Sequence, residues 1–462
     1  MRAARQSRFH RILTAGDGGQ LPNGFVCRVC GMLILHSPDN RLHEPALPDR
    51  KPPLNPARSP LAILRGLPYV AWVILYCAVT WGVFGALLGA VTPNLRAQMG
   101  VSFKQIGWLM AIWSAGGAVG SLLGGAIAKR FPPRRLLRVY TLAVMGAVAG
   151  VLWAPGFGWL AFFMVAVATF ETALFTLGHG LLAELSDEPE QRTRIISLVD
   201  VGYSTGSVLS PLMAAAALAV NPSWRSPYLV FALMALGLLL LALQRRRLQA
   251  VQFRPDHPHE DAATDAPGRA PLGYAGLLRQ PLVRWVLVAG LCSGLSEWGQ
   301  YFWFVSFATE ALGQHEQTAR LALGFLMAGM VTGRVWQAFV HSRWRMEQKI
   351  QGLGLLAALS LAGVWLSPVQ APFAWLALCN FFTGLGVSVG FPILLGIALR
   401  GFPQEAPRLS ALLMIVFSAG AQMAAVLMGG IAEQWGLRAA YAVLVAAAAG
   451  FVFCAWRLGR RH

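Results

Sequence analysis

The sequence predicts an all-α membrane protein with twelve transmembrane helices, arranged as two repeats of six. Three observations support this prediction: the composition, a succession of apolar runs, and a similarity between the two halves of the chain. Hydrophobic residues make up 56% of the 462 residues and charged residues only 13%. Soluble domains carry about 25% charged residues, so the composition alone indicates a membrane protein.

Residues 1–66 precede the apolar part of the chain and contain many Lys, Arg and Pro but no run that could span a bilayer. We expect a disordered cytoplasmic tail, neither a signal peptide nor a folded domain. Met32 lies within it, so the sequence leaves open whether the tail belongs to the native protein. Cys27 and Cys30 form a CxxC pair, but the neighbouring spacing does not fit a zinc site, and no metal site is predicted.

Apolar runs follow, each long enough for a helix to cross a hydrocarbon core of about 30 Å. A polar segment with Pro and both charge signs separates the sixth run from the seventh. We therefore predict a first half at 67–244, a cytoplasmic linker at 245–281, a second half at 282–457 and a short tail at 458–462. The runs are 70–92, 105–128, 136–154, 158–182, 194–219, 226–244, 282–308, 318–341, 349–367, 371–399, 408–431 and 436–456.

The distribution of basic residues predicts the orientation. With a cytoplasmic N-terminus, the tails and the even-numbered loops hold nearly all of the 38 Lys and Arg residues, as the positive-inside rule requires. Both termini are therefore expected in the cytoplasm. The net charge of +18 follows from this topology, so no nucleic-acid partner is predicted. The opposite side holds only Arg96, Lys104, Arg225, Arg320 and Arg438, and Arg334 falls within the eighth helix.

The two halves also resemble each other in sequence. EPEQRTRIISLVDVGYSTGS at 188–207 aligns with FPQEAPRLSALLMIVFSAGA at 402–421, which places Gly206 over Gly420. GWLM at Gly107 and GFLM at Gly324 correspond in the same way. Repeated six-helix halves of parallel topology are typical of secondary transporters, whose solute site lies near the midplane between the halves.

Two acids lie within apolar runs of the first half. A charge at membrane depth costs several kcal/mol unless it faces a cavity or a partner. Glu171 is about thirteen residues from either end of its run, roughly 20 Å along the helix, so its side chain cannot reach the membrane surface. We predict that it binds solute, a proton or both. Asp200 is a second candidate, either as a ligand or paired with Arg194, and the second half has Met414 at its position.

Further polar residues suggest a site in the second half. Glu297 either binds solute or faces an external vestibule, and Gln300 shares its helix face. Asn380 and Gln422 need a cavity or another helix as partner. For Arg334 we favour a structural pair over a ligand. The predicted solute- and proton-binding residues are Glu171, Asp200, Glu297, Gln300, Asn380 and Gln422.

One histidine and three tryptophans are weaker candidates. His179 lies eight residues after Glu171 on approximately the same face, where it could relay a proton or simply be hydrogen-bonded. Flat aromatic faces stack on sugars, so Trp81, Trp298 and Trp303 are possible sugar contacts. Tryptophan is also common at membrane interfaces, which is the alternative for all three.

Over about residues 70–456 the chain resembles the major facilitator superfamily, and within it the fucose–proton symporter family that includes TsgA-like proteins. GGAIAKRFPPRRLL stands where the superfamily has G-x-L-x-D-R-x-G-R-K. Gly125 and Arg130 match this motif, whereas Lys129 replaces its Asp and Pro132 its second Gly. Other segments similar to the family are FET at 170–172, SLVDVGYSTG at 197–206, SEWGQYFWFVSFATEALG at 296–313 and Gly333-Arg334.

The resemblance implies a major facilitator fold, sugar binding and proton coupling by Glu171, and a ligand position at Asp200. We also predict structural or gating roles for Arg130, Arg194, Gly333 and Arg334. One departure matters, because the first-helix Asp that carries a proton in the fucose symporter corresponds here to Gly89. Coupling through that residue is absent, and fucose cannot be assumed as the solute.

We therefore expect a secondary active transporter of the cell inner membrane that moves a small, polar, sugar-like solute by alternating access. The proton gradient is the expected energy source, with no cofactor, and the expected partners are the solute and the lipid bilayer. The resemblance implies a monomer. An exporter or uncoupled facilitator, and a receptor or scaffold that has lost transport, remain alternatives. No paired metal ligands, nucleophile motif or nucleotide loop in the spans indicates an enzyme.

Overall fold

The computed structural model describes residues 67–128, 130–183, 189–244, 272–339 and 344–460. The predicted tail at 1–66 and most of the predicted linker, 245–271, lie outside these residues. Within the described part, all twelve predicted apolar runs are helical.

The first half contains six helices that follow one another with short connections. The second half repeats this order with six more. In the first half they are α1 Tyr69–Met99, α2 Phe103–Ala128, α3 Pro133–Leu152, α4 Phe157–Ala183, α5 Pro189–Val220 and α6 Arg225–Leu243. In the second they are α7 Pro281–Ser306, α8 Glu316–Phe339, α9 Met346–Trp365, α10 in two segments, Phe373–Val387 and Gly390–Gly401, α11 at 406–435 and α12 at 437–459.

Several boundaries differ from the predicted ones. The last two helices form one continuous stretch, Ala406–Gly459, that bends at Gly436, where φ is 79° and ψ is 166°. Only glycine adopts this conformation readily, so Gly436 separates α11 from α12. A short helix, Tyr274–Arg279, lies inside the predicted linker. It belongs to the second half because Leu277 is completely buried in its apolar core.

Eight helical stretches in the described part are long and apolar enough to cross a membrane. The last of them, Arg408–Gly459, has 52 residues and contains both α11 and α12. Helices α7, α8 and α9 are not among the eight. Helices α7 and α8 carry polar residues in mid-helix, such as Gln300 and Arg334, which lower their hydropathy.

Glycines bring equivalent helices together in the two halves. A Cβ added at Gly206 of α5 would lie 2.0 Å from the Val79 oxygen of α1. At Gly420 of α11, a Cβ would lie 2.3 Å from the Leu291 oxygen of α7. Small residues allow such close backbone approach in membrane bundles. The pair Gly206 and Gly420, aligned by the sequence repeat, therefore has the same packing role in each half.

The two halves meet tightly at one end of the bundle, which we name the Arg96 end. Arg96 of α1 forms a 2.5 Å ion pair with Glu310, in the turn of π-helix that follows α7. The backbone N–H of Phe103 donates to Glu433 of α11 at 2.9 Å. Beside these contacts α1 approaches α7 closely, since a Cβ at Gly89 would lie 2.6 Å from the oxygen of Tyr301.

Arg320 of α8 completes this closure. Its guanidinium is 1% exposed and donates to the Ala90 oxygen at 2.9 Å, to Asn94 of α1, and to Glu316 at 2.7 Å. Among the described residues, all hydrogen bonds between the two halves except one lie at this end or in the adjoining turns. The structure is therefore a conformation in which the halves are joined at the Arg96 end.

Candidate functional site

The exception is a contact away from the Arg96 end. Nη1 of Arg334 in α8 donates to Oγ of Ser204 in α5 at 2.9 Å, which links the two halves. Ser204 is buried, whereas Arg334 is half-buried. The bond places a guanidinium between the halves.

An acid from α7 faces this guanidinium. Glu297 is attracted electrostatically to Arg334, although the two side chains form no direct ion pair. Tyr203 of α5 interacts with both charges. Glu297, Arg334 and Tyr203 are each half-buried, and protein surrounds Glu297 and Tyr203. Side chains of this kind, at the boundary between two six-helix halves, are expected to line the central cavity of a carrier.

Two tyrosines approach each other at α1. A Cβ added at Gly85 would lie 3.5 Å from the hydroxyl of Tyr203 and 3.5 Å from that of Tyr301. The two phenol oxygens therefore lie on the same side of α1, beside Gly85. We name Tyr203, Ser204, Glu297, Tyr301 and Arg334 the central cluster.

Asp200 lies on the same face of α5 as the central cluster. It precedes Tyr203 by three residues and Ser204 by four, which is one helical turn. Its side chain is exposed. The side chain of Arg194, its predicted alternative partner, lies outside the described residues.

Aromatic rings form a wall beside the central cluster. The ring centroid of Trp113 in α2 is 6.0 Å from that of Trp81 and 6.3 Å from that of Trp298, so the wall contains rings from both halves. Trp298 also packs against Tyr301 at 5.2 Å. Trp303 is completely buried against Phe103 at the Arg96 end, so it does not face the cluster.

Glu171 lies elsewhere, inside the first half. Its side chain is 0% exposed, and neither carboxyl oxygen forms a hydrogen bond. Cys77 and Thr80 of α1 are close enough to interact with it. The Thr80 hydroxyl donates its single proton to the Cys77 oxygen at 2.8 Å, so it can only accept a proton from Glu171. In this conformation Glu171 is enclosed between α4 and α1, without access to the cavity.

His179 follows Glu171 on α4 and is half-buried. Its Nδ1 is 3.0 Å from the Phe175 oxygen, and its ring packs edge-on against Phe175 at 4.4 Å. The second ring nitrogen has no hydrogen bond among the described contacts. The relay and the structural alternative therefore both stay predictions.

Gln300 and Asn380 are placed differently from the prediction. Nε2 of Gln300 donates to Oδ1 of Asn380 at 2.8 Å, and its Oε1 accepts the hydroxyl of Tyr441 at 2.7 Å. Asn380 Nδ2 donates to the Leu376 oxygen at 2.9 Å. Both amides are 0% exposed. They join α7, α10 and α12 inside the second half, and in this conformation their polar atoms are not free to bind a solute.

The remaining predicted residues are dispersed. Gln422 of α11 is half-buried and Arg130 is exposed in the turn after α2. A Cβ at Gly333 would lie 2.1 Å from Oγ of Ser388, so this glycine allows α8 to contact α10. Among the described residues, no group of His, Cys, Asp or Glu could hold a metal ion.

Tyr203, Ser204 and Tyr301 belong to the central cluster but were not among the binding residues predicted from the sequence. A signal for the first two was present, because Asp200, Tyr203, Ser204 and Ser207 follow the i, i+3, i+4, i+7 spacing of one helix face. A polar stripe of this kind in an apolar helix points toward a cavity or another helix. Tyr301 follows Glu297 by one turn in the same way.

The family comparison covers most of the chain. The model of the Major Facilitator Superfamily matches residues 23–169 and 73–405. The similar proteins include the "Probable sulfoacetate transporter SauU" of Cupriavidus necator, 23% identical over 61% of this chain and 67% of that protein. Protein TsgA of Escherichia coli O9:H4 is 23% identical over 80% of this chain and 90% of its own length.

Solved structures show the same fold. The nucleoside transporter NupG superposes with a TM-score of 0.65 at 12% sequence identity, over 85% of this chain and 99% of that one. The predicted architecture of two six-helix repeats is thereby confirmed.

Proposed function

We propose, from the premise that this chain belongs to the Major Facilitator Superfamily, that it carries a small polar solute across the cell inner membrane, coupled to protons through Glu171. The family makes the chain a multi-pass membrane transporter of small solutes and not an enzyme. The solute, the coupling and the orientation are the parts we propose. No cofactor is required, because the proton gradient supplies the energy.

The observation that carries the coupling is the state of Glu171. An ionised carboxylate with neither water nor a hydrogen-bond partner is far too costly to persist in a protein interior. The neutral acid avoids most of this cost and can donate to the Thr80 hydroxyl, whose own proton is already used. We therefore propose that Glu171 holds a proton in this conformation and exchanges it only when α1 and α4 separate.

The closed Arg96 end supports alternating access. A carrier of this fold exposes its solute site to one side at a time by rocking one half against the other. The positive-inside prediction places both termini in the cytoplasm and the Arg96 end outside. In that orientation the structure is closed toward the outside. We propose that the chain acts as a monomer, since each monomer contains both halves.

The relatives support a small polar solute without naming one. One relative is described as a probable sulfoacetate transporter, and one structural neighbour as a nucleoside transporter. A sugar-like solute, the expectation from the fucose-symporter resemblance, belongs to the same broad range. The direction of transport is left to the experiment.

An uncoupled facilitator is the second candidate, and the packing of Gly89 favours it. Where the fucose symporter has its first-helix acid, Gly89 packs against the backbone of Tyr301. No group that could carry a proton stands at this position. If Glu171 does not exchange protons either, the solute moves without coupling.

Proteoliposomes containing the full chain test the proposal. Solutes from a panel of sugars, nucleosides and small organic acids are added outside, while an enclosed dye reports internal pH. We expect one solute to drive a pH change that Glu171→Gln abolishes, with counterflow of the same solute retained. Glu347→Gln is the matched control, because Glu347 forms a 2.9 Å ion pair with Arg400 away from the cavity.

Other results decide between the alternatives. Counterflow without proton movement in the wild-type protein would support the uncoupled facilitator and reject the coupling. Absence of counterflow for the whole panel would argue for the receptor or scaffold.

A further inference from the structure

We propose that the solute is a small organic anion, a carboxylate or sulfonate. Its charged group binds Arg334 directly and replaces Glu297 as the counter-charge of the guanidinium. This inference rests on the proposed transport function and names its solute class. It follows from four features of the central cluster.

The first feature is the unused donor capacity of Arg334. A guanidinium has five N–H donors in a planar fork. Among the residues that the structure describes, its only hydrogen bond is the one to Ser204, a neutral hydroxyl. Paired carboxylate or sulfonate oxygens match the geometry of the fork, and such bidentate contacts are among the strongest hydrogen bonds in proteins.

The second feature is the charge balance. Glu297 attracts Arg334 without contacting it, so the guanidinium has a counter-charge nearby but no bonded anion. Both side chains are half-buried at the boundary between the halves. An incoming anion can therefore bind the guanidinium directly, provided that Glu297 is protonated or turns aside, because two negative groups repel each other.

The third feature is the surrounding chemistry. The hydroxyls of Tyr203 and Tyr301 both lie beside Gly85. The Tyr301 hydroxyl is buried and has no hydrogen-bond partner among the described residues, so its proton is a free donor for an anion oxygen that reaches it. Trp298 packs on Tyr301 and continues into the aromatic wall. Donors on one side and apolar rings on the other suit a small molecule with one anionic end and a short carbon skeleton.

The fourth feature concerns the amides expected to hold a sugar. Gln300 and Asn380 bond to each other and to Tyr441, so they do not supply the hydroxyl-binding groups of a sugar site. The charged groups that remain beside the central cluster are Arg334, Glu297 and, one helical turn away on α5, the exposed Asp200. A neutral solute would leave the charge of Arg334 without a bonded partner, whereas an anion supplies one.

Binding to the purified full-length protein tests this inference, with unfolding temperature as the readout, because a ligand of the folded state raises it. The anionic probes are sulfoacetate, malonate and glycerate. The neutral probes are glycerol, fucose and uridine. We expect at least one anion, and no neutral probe, to stabilise the wild-type protein.

Substitutions of Arg334 and Glu297 should change the affinity for the anion in opposite directions. Arg334→Gln should weaken binding of the anion by about 30-fold or more, the loss expected when one partner of a charged contact is removed. Glu297→Gln should tighten binding, because it removes a competing negative charge. Lys104→Gln is the matched control, since Lys104 is exposed on α2 and its loss changes the net charge equally.

The remaining outcomes separate this inference from the proposed function. If a neutral probe stabilises both the wild-type protein and Arg334→Gln, the inference that the solute is an anion is wrong. The proposed transport function is unaffected by that result. The same conclusion follows if no anion stabilises the protein, or if both variants weaken anion binding. Loss of counterflow for every solute would instead reject the carrier itself.

Discussion

Arg320 of α8 donates from Nε to the backbone oxygen of Ala90 in α1 at 2.9 Å, across the boundary between the two halves. The guanidinium is almost completely buried and also contacts Asn94 and Glu316. A buried cation tied to a backbone oxygen on the opposite half holds that boundary closed. When the halves separate, the hydrogen bonds to Ala90 and Asn94 must break and the guanidinium must be hydrated.

Replacing Arg320 should therefore open the Arg96 end. Arg320→Gln removes the donors to the Ala90 oxygen and to Asn94, and each buried acceptor left without a donor costs about 1–3 kcal/mol, so the variant should depopulate the closed conformation. The distance between spin labels at Lys104 and His315, one in each half, should increase. Arg96→Gln is the control, because Arg96 and Glu310 form a partly exposed pair worth about 0–1 kcal/mol. Equal distances in the two variants would contradict the role of Arg320.

A side chain at Gly89 should have a similar effect by a steric route. A Cβ there would meet the Tyr301 oxygen at 2.6 Å, so Gly89→Ala should push α1 from α7. Overpacking of this kind costs about 1–3 kcal/mol. We expect a longer spin-label distance and slower counterflow. Gly430→Ala is the matched control, since no atom lies within 4 Å of a Cβ at that position in α11. Normal closure in Gly89→Ala would show that the backbones adjust.

The buried carboxyl group of Glu171 should lower the stability of the folded protein, although proton-coupled transport requires it. A buried polar group without a hydrogen bond costs about 1–3 kcal/mol. Glu171→Met, which keeps a similar volume, should therefore raise the unfolding temperature in detergent and abolish proton-coupled uptake. Thermal unfolding and liposome transport, measured on one preparation, check both effects. A lower unfolding temperature would mean that the acid has a stabilising partner.

The network of Gln300, Asn380 and Tyr441 should prove structural. Tyr441→Phe leaves the buried Oε1 of Gln300 without its donor, at a cost of about 1–3 kcal/mol. We expect a lower unfolding temperature and an unchanged affinity for the solute. In a double-mutant cycle, Tyr441→Phe and Gln300→Met should show coupled effects on stability. A large change in affinity in Tyr441→Phe would restore Gln300 as a ligand.

Most of the fold could be predicted because its signals are local. Hydrophobic length identifies each span, and Gly206 over Gly420 revealed the repeat before their packing was known. Helix ends were less certain. The bend at Gly436 makes one continuous helix of two spans, and Leu277 draws part of the predicted linker into the core. Both outcomes depend on a neighbouring helix rather than on the local sequence.

The sequence by itself determined the membrane class, the twelve helices, the repeat and the burial of Glu171, because composition and spacing along one helix specify these properties. Only the tertiary structure decided which polar residues meet. It enclosed Glu171 away from the cavity, paired Gln300 with Asn380, and brought Arg334 to Ser204, 130 residues away in sequence. Helical periodicity predicts on which face of its helix a side chain lies, but not which other helix packs against that face. That partner depends on where the backbones cross, which in this bundle is set by close glycine contacts between distant helices.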